Sequence, residues 1–155
     1  MSLPISTAGL VVKYATEATA GTRPTTGSTA IPHITDIGGI NPDPNLLDCT
    51  ELTEEVMHQY INGLMDLGGA IGLTVNLTDD FITAWNTLKT ASDTAYAAGK
   101  KTWFEVASAK LGKSFYVAGI PSELGLDETA VDQVLQTTAY IAPNGWGGFD
   151  TSSSS

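Results

Sequence analysis

Large apolar and polar residues alternate clearly at several places along the chain. Leu10, Val12 and Tyr14 alternate with Val11, Lys13 and Ala15, which predicts a first strand over 9–15 with a partner on each face. Residues 16–29, rich in Thr, Gly and Ala with Pro24, offer no face to bury and read as a loop. A short strand over 31–37 follows, interrupted by Pro32 and therefore an edge or an irregular start. Gly38-Gly39 and Asn41-Pro42-Asp43-Pro44 then predict a sharp turn.

Residues 46–52 and 56–61 keep strand-like pieces, yet Asp43, Asp48, Glu51, Glu54, Glu55 and Asp66 fall in and around them. A hairpin this polar does not lie wholly in a core, so 38–69 is expected to project from the domain. After Gly68-Gly69 the pattern is strictest. Ile71, Leu73, Val75 and Leu77 alternate with Gly72, Thr74 and Asn76, the pattern of a half-buried strand. Thr78 then offers an N-cap oxygen, Asp79 and Asp80 put negative charge in a first turn, and Leu77 with Ile82 has hydrophobic-staple spacing. The spacing predicts a helix over 79–98 with the core stripe Phe81, Ile82, Trp85, Leu88, Ser92 and Tyr96, and with Gly99 just past its end.

Beyond the helix, 102–109 and 113–119 read as a hairpin across Lys110, Leu111 and Gly112, with Trp103, Phe104, Phe115 and Tyr116 placed to pair. Residues 120–129 read as a loop and 131–141 as a long final strand ended by Pro143-Asn144-Gly145, while 151–155 have no reason to be ordered. In the final strand, Val131, Leu135 and Ile141 share one parity, the expected core side, and Asp132, Gln136 and Thr138 share the other. The sum is roughly six or seven strands and one helix, a mainly β chain that folds as a sandwich or barrel with the helix on a face or over an open end. Leu73, Val75, Phe81, Trp85 and Leu88 are the expected core.

Composition narrows the partners. The 155 residues suit one domain, here 1–150 with the hairpin 38–69, and 42% hydrophobic against 15% charged residues suits a folded chain. The net charge of −10, from 17 acidic and 7 basic residues, repels a phosphate backbone over most of the surface. The pair Lys100-Lys101 is explained by a helix end. A lone cysteine, Cys49, provides neither a disulfide framework nor a cysteine-rich metal site, and it reads as an inert strand residue. No apolar run approaches the roughly 20 residues of a membrane span, and the start MSLPISTAGL has neither a basic nor a sustained apolar stretch, so a chain working in cytosol-like solution is expected.

Catalytic chemistry finds little support in the pattern. His33 and His58 form no spaced pair, and neither a Gly-x-Ser-x-Gly elbow nor a Gly-x-x-x-x-Gly-Lys loop is present. Asp79-Asp80 serves a helix start and Glu54-Glu55 a solvated hairpin tip, readings that explain both pairs without catalysis. Asn41-Pro42-Asp43-Pro44-Asn45 has calcium-ligand types, but its two prolines favour a rigid turn. The expectation is a protein that is not an enzyme and holds no metal or cofactor.

Several stretches taken together resemble the major tail tube protein family of long-tailed, siphovirus-type bacteriophages. They are TAGLVVKYATEATAGTRPTTGSTAIPHI, LLDCTEL followed by YINGLMDLGG, AIGLTVNLTDDFITAWNTL, TWFEV with KSFYVAGIPSELGL, and AVDQVLQTTAYIAPNG. They cover almost the whole chain in family order; Y-I-x-G-L-x-D-x-G-G and D-x-V-L-x-T-T-x-Y-I are the most specific. The resemblance implies a β-sandwich-like subunit, similar to the ring-forming tube protein of type VI secretion systems. It also implies hexameric rings stacked into a virion tail tube that conducts the genome during ejection, assembled in the host bacterial cytoplasm. The implied partners are further copies of the chain and the tape-measure, terminator and baseplate proteins, with DNA only in transit and no membrane. On that basis Thr74, Asn76, Asp132, Gln136 and Thr138 are the expected lumen lining, and Asp48, Glu51, Glu54, Glu55, His58 and Tyr60 the expected contacts between rings. The short C-terminal end departs from those relatives that carry an extra surface domain, and no such domain is expected. Two other readings stay open: a single-ring virion component such as a tail terminator, and a small carbohydrate-binding sandwich using Trp103 and Trp146 as an aromatic platform.

Overall fold

In the computed structural model the described residues are 10–39, 70–108, 110–126, 131 and 134–152, together with the backbone of 43–48 and 60–66. The chain divides into two units, one of residues 1–38 and 70–155 and the other of residues 39–69. The larger unit runs β1 (Leu10–Thr16), β2 (Thr29–Ala30), β3 (Ile34–Ile37), then, after the smaller unit's β4 (Asp43–Asp48) and β5 (Tyr60–Asp66), β6 (Ile71–Asn76), α1 (Asp79–Ala97), β7 (Thr102–Ser108), β8 (Lys113–Pro121) and β9 (Gln136–Thr151).

Seven strands form one antiparallel sheet in the order β2-β1-β7-β8-β9-β6-β3. Its two edge strands are consecutive parts of one segment. Tyr14 pairs with Thr29 and the Ile31 N–H bonds the Val12 carbonyl, while past Pro32 the His33 carbonyl accepts from the Asn76 N–H and Ile34 pairs with Val75. The chain changes partners at His33, whose φ of 64° is in the left-handed region that a non-glycine residue enters only at a local cost. The sheet therefore curls until segment 29–37 bridges its two ends, and the irregularity expected at Pro32 is the crossing point.

β6 is the strand its alternation describes: Ile71, Leu73 and Val75 are buried and Gly72, Thr74 and Asn76 half-buried. The helix is likewise placed as expected. The Thr78 hydroxyl accepts from the Phe81 N–H at 3.1 Å, one of the donors a helix N-terminus leaves unpaired. At the other end Gly99, at φ 75°, lets its own N–H reach the Tyr96 carbonyl and the Lys100 N–H reach the Ala95 carbonyl, the Schellman pattern. Between the caps, Phe81, Trp85 and Leu88 are completely buried, Phe81 and Trp85 stack at 5.8 Å, and α1 packs on β1, β7 and β8. The expected stripe needs correction at two places. Ile82 and Tyr96 are exposed, and Ala95 is buried instead, because the helix meets the sheet along a narrow seam on which Ser92 and Ala95 continue the line of Leu88.

Several strand expectations are also corrected. β9 begins at Gln136 and runs through Pro143, Asn144 and Gly145 to Thr151. Register shifts beside Val117 and Gly119 absorb the proline and the glycine-rich stretch as bulges, so residues that read as a stop are a bend in a continuing strand. At Gly147 an added Cβ would meet Tyr116 Cβ at 2.7 Å and the Trp103 ring at 2.9 Å, so the strand passes here only because the residue has no side chain. Val131 and Leu135, expected in the core, are exposed because they precede the strand; Ile141 is buried as expected. Thr151 belongs to β9, and the Ser152 hydroxyl lies 2.7 Å from that of Ser114, so the order extends into the expected disordered tail; 153–155 lie outside the described residues. In the β7/β8 hairpin the aromatics do not face one another: Trp103 opposes Ala118, Phe104 opposes Val117, Glu105 opposes Tyr116 and Val106 opposes Phe115. Phe115 instead packs edge-on against Trp146 and Phe149 of β9.

In the smaller unit β4 pairs antiparallel with β5, with Asp48 opposite Tyr60. Asp43 and Pro44, expected in a turn, lie in β4, and a register shift between Pro44 and Leu46 accommodates the residue that cannot donate a hydrogen bond.

Candidate functional site

Two surfaces of the larger unit are built differently. The first is the side of β3, β6 and β9 turned away from the core. Along β9, Thr137, Ala139 and Ile141 are buried, while Gln136, Thr138 and Tyr140 take the alternate positions. The register sets Thr74 opposite Thr138 and Asn76 opposite Gln136, so four of the five expected lumen residues lie together on one face. The Gln136 amide donates to the Asn76 side-chain oxygen at 3.1 Å, and the Thr35 hydroxyl donates to the Thr74 carbonyl at 3.1 Å. Tyr140 packs over Gly72, where an added Cβ would meet the Thr138 methyl at 3.3 Å and the ring at 3.6 Å. Asp132 lies outside the described residues.

One carboxylate belongs to this face that sequence reasoning missed. Asp36 in β3 is exposed and stands opposite Thr74, because Thr35 is the bulge residue that shifts the register. A shift of one residue exchanges the faces of a strand, and nothing in the sequence of 34–37 announces it. The result is a surface of amides and hydroxyls that bond laterally, with the negative charge of Asp36 at its β3 border. Such a surface has no cation with which to hold a phosphate.

The second surface is on the opposite parity of β7 and β8, where residues 17–28 cross the sheet. Glu17 is 4% exposed, and its carboxylate accepts from the Lys101 N–H at 2.8 Å, the Trp103 indole N–H at 3.0 Å and the Gly21 N–H at 3.2 Å. Burial pushes this carboxyl up, but the three donors and the Lys101 charge outweigh it and hold the group below its ordinary value. Farther along, the Arg23 guanidinium lies 3.8 Å over the Tyr116 ring and pairs with Asp150 at 2.9 Å. The Thr151 N–H and Arg23 together hold the Asp150 carboxyl below its usual range. The expected loop is thus pinned at Glu17 and again at Arg23. Glu17 and Arg23 are the only charged residues in a run of Thr, Ala and Gly, and that isolation was the available signal.

The remaining expected residues fall elsewhere. Asp48 and Tyr60 are paired in the smaller unit, whose description stops at the backbone, and Glu51, Glu54, Glu55 and His58 lie outside the described residues, as does Cys49. His33 is exposed at the strand crossing. Trp103 is tied to Glu17 and Trp146 packs on Phe115, so the two indoles do not form a common platform. Among the described residues no group of three His, Cys, Asp or Glu side chains could hold a metal ion, and no helix is long and apolar enough to cross a membrane.

Neither a protein-family model nor a curated protein sequence matches the chain. Its fold does have a solved counterpart. The chain is similar in fold to a chain in the cryo-EM structure of the anti-feeding prophage (AFP) baseplate, symmetrised six-fold. The TM-score is 0.58 at 12% sequence identity, and the match covers 93% of this chain and 94% of the baseplate chain. The likeness therefore takes in nearly the full length of both chains, and it is a likeness of fold.

Proposed function

We propose that this chain is a structural subunit of a phage-type tail, which assembles with copies of itself into stacked, six-membered rings forming a tube. The observation that carries this reading is the near end-to-end fold match with a subunit of a six-fold prophage baseplate. The sequence resemblance to siphovirus-type tail tube proteins agrees with it. In this reading the face bearing Thr74, Asn76, Gln136 and Thr138 lines the lumen. Asp36 adds one negative charge per subunit there, so that DNA slides past without binding. Residues 39–69 make the contact between rings, and tape-measure, terminator and baseplate proteins are the other partners.

A second reading deserves a place because the structural counterpart is a baseplate chain: a component that closes one ring and does not stack. Electron microscopy of the purified protein at high concentration separates the two. Tubes built of six-fold rings support the tube subunit, single rings support the second reading, and monomers alone at every concentration sink both. A reconstruction in which Thr138 faces the outside of the tube would overturn the lumen assignment.

A further inference from the structure

Two buried glutamates lie on the side of the sheet that residues 17–28 cross, and their surroundings differ. Glu17 accepts from three N–H groups, an environment made for a charged carboxylate. Glu105 of β7 is 3% exposed and stands in register with Lys13 of β1 on one side and Tyr116 of β8 on the other. Tyr116 is equally buried, and its hydroxyl oxygen lies 3.1 Å from Glu105 Oε2 and 2.7 Å from the carbonyl oxygen of Thr151, the last residue of β9.

A phenol has one proton to give. The Thr151 carbonyl only accepts, and at 2.7 Å it takes that proton, so the Tyr116 oxygen turns a lone pair toward Glu105. An ionised Glu105 would also only accept, which would set lone pair against lone pair at 3.1 Å in the interior. A protonated Glu105 removes the conflict, because its O–H donates to Tyr116 while the Tyr116 O–H donates to Thr151. Among the described residues, the charged groups facing this chain of bonds come from three elements. Arg23 of the crossing segment lies 3.8 Å over the Tyr116 ring, and its charge is met at 2.9 Å by Asp150 of β9, on which Lys113 also acts. Half-buried Lys13 of β1 favours the ionised form of Glu105, against the proton count at Tyr116, which requires the neutral one.

We infer that Glu105 is a neutral acid in the folded chain at neutral pH, and that its proton, acting through Tyr116, latches the end of β9 to β8. When Glu105 ionises it competes for the single phenol proton, Tyr116 turns its O–H from Thr151 to the carboxylate, and the strand end is released. The residues that would feel this are already joined there: Asp150 holds Arg23, and the Ser152 hydroxyl lies 2.7 Å from that of Ser114. An acid kept neutral by the fold stabilises it fully in acid, and that contribution is lost as pH rises through the point where Glu105 ionises in the folded chain. Glu17, held charged, responds in the opposite sense. The latch is independent of whether the chain stacks into a tube or closes one ring.

Infrared difference spectroscopy of the full chain against Glu105→Gln tests it, since the method reads monomers and assemblies alike. At neutral pH the difference should contain the carbonyl stretch of a protonated carboxylic acid and no carboxylate stretches. Glu105→Gln keeps a donor toward Tyr116, so it should melt like the natural chain at neutral pH and lose less of its melting temperature as the pH is raised. If Glu105→Gln fails to fold, Tyr116→Phe takes its place: Glu105 then loses its acceptor, and the difference spectrum should show the protonated-acid band shifted. Carboxylate stretches alone in either difference spectrum, or melting temperatures of the natural chain and Glu105→Gln that fall in parallel with rising pH, would overturn the inference.

Discussion

Helix α1 and residues 17–28 both lie against strands β7 and β8, and they are held there by opposite kinds of interaction. The helix presents Phe81, Trp85 and Leu88, all completely buried. Among the described residues its polar contacts beyond its own turns include the Thr78 cap, the Trp85 indole, which donates to the Ser122 carbonyl at 2.9 Å, and Lys89, which pairs with Glu123 at 3.0 Å on the surface. Residues 17–28 bury almost no hydrocarbon, and their polar ties include one carboxylate with three donors, one guanidinium over a ring and the Glu17 N–H on the Lys101 carbonyl. Apolar burial is non-directional and shared among many contacts. A carboxylate with three donors depends on a single group, and its removal strands all three.

The largest effect expected from this contrast is on the helix. Trp85→Ala removes a fully buried indole and should cost about 3–5 kcal/mol of unfolding free energy in chemical denaturation. A loss below about 1 kcal/mol would show that the helix is not anchored by its apolar face. Next comes Glu17→Gln, which keeps the shape and removes the charge. About 1–3 kcal/mol should be lost, with the Trp103 indole N–H resonance moving while the helix signals stay in place.

The same carboxylate gives a pH test. Its folded value lies below the ordinary 4.5, so its contribution is fully present above that ordinary value and disappears as pH falls through the lower folded one. The Trp103 indole resonance should therefore titrate with a midpoint below pH 4.5, and a midpoint above 4.5 would contradict the three-donor arrangement. The smallest expected effect is Thr78→Ala, about 1 kcal/mol. If it rivalled Trp85→Ala, the division into an apolar-held helix and a polar-held segment would fail.

This division also explains what could be read in advance. The helix with both its caps, the strand at 71–76 and the core of Leu73, Val75, Phe81, Trp85 and Leu88 follow from spacing, since burying one face imposes a period on the chain. The side-by-side placement of Thr74, Asn76, Gln136 and Thr138 follows from alternation on two strands that pair in register. The Glu17 anchor leaves no period, because two of its three donors come from residues 84 and 86 positions away. The bulges at Thr35 and in β9 were illegible for a related reason. Each depends on what the neighbouring strand does, and Pro143-Asn144-Gly145 is a turn signal whenever no neighbour holds it straight.

The position of β9 has a consequence for how the molecule comes into being. It follows every other strand in the chain, yet it lies in the interior of the sheet, with β8 on one side and β6 on the other. Until residues 136–151 have been made, the strands already present can pair only as two separate sets, β2-β1-β7-β8 and β6-β3, and neither set can complete the sheet. The pairing that joins them links Asn76 to Gln136, 60 residues on, so loop closure precedes any reward from the contact. The chain should therefore fold in one late, slow step after synthesis. Until then the exposed edges are where newly made copies can pair wrongly with one another.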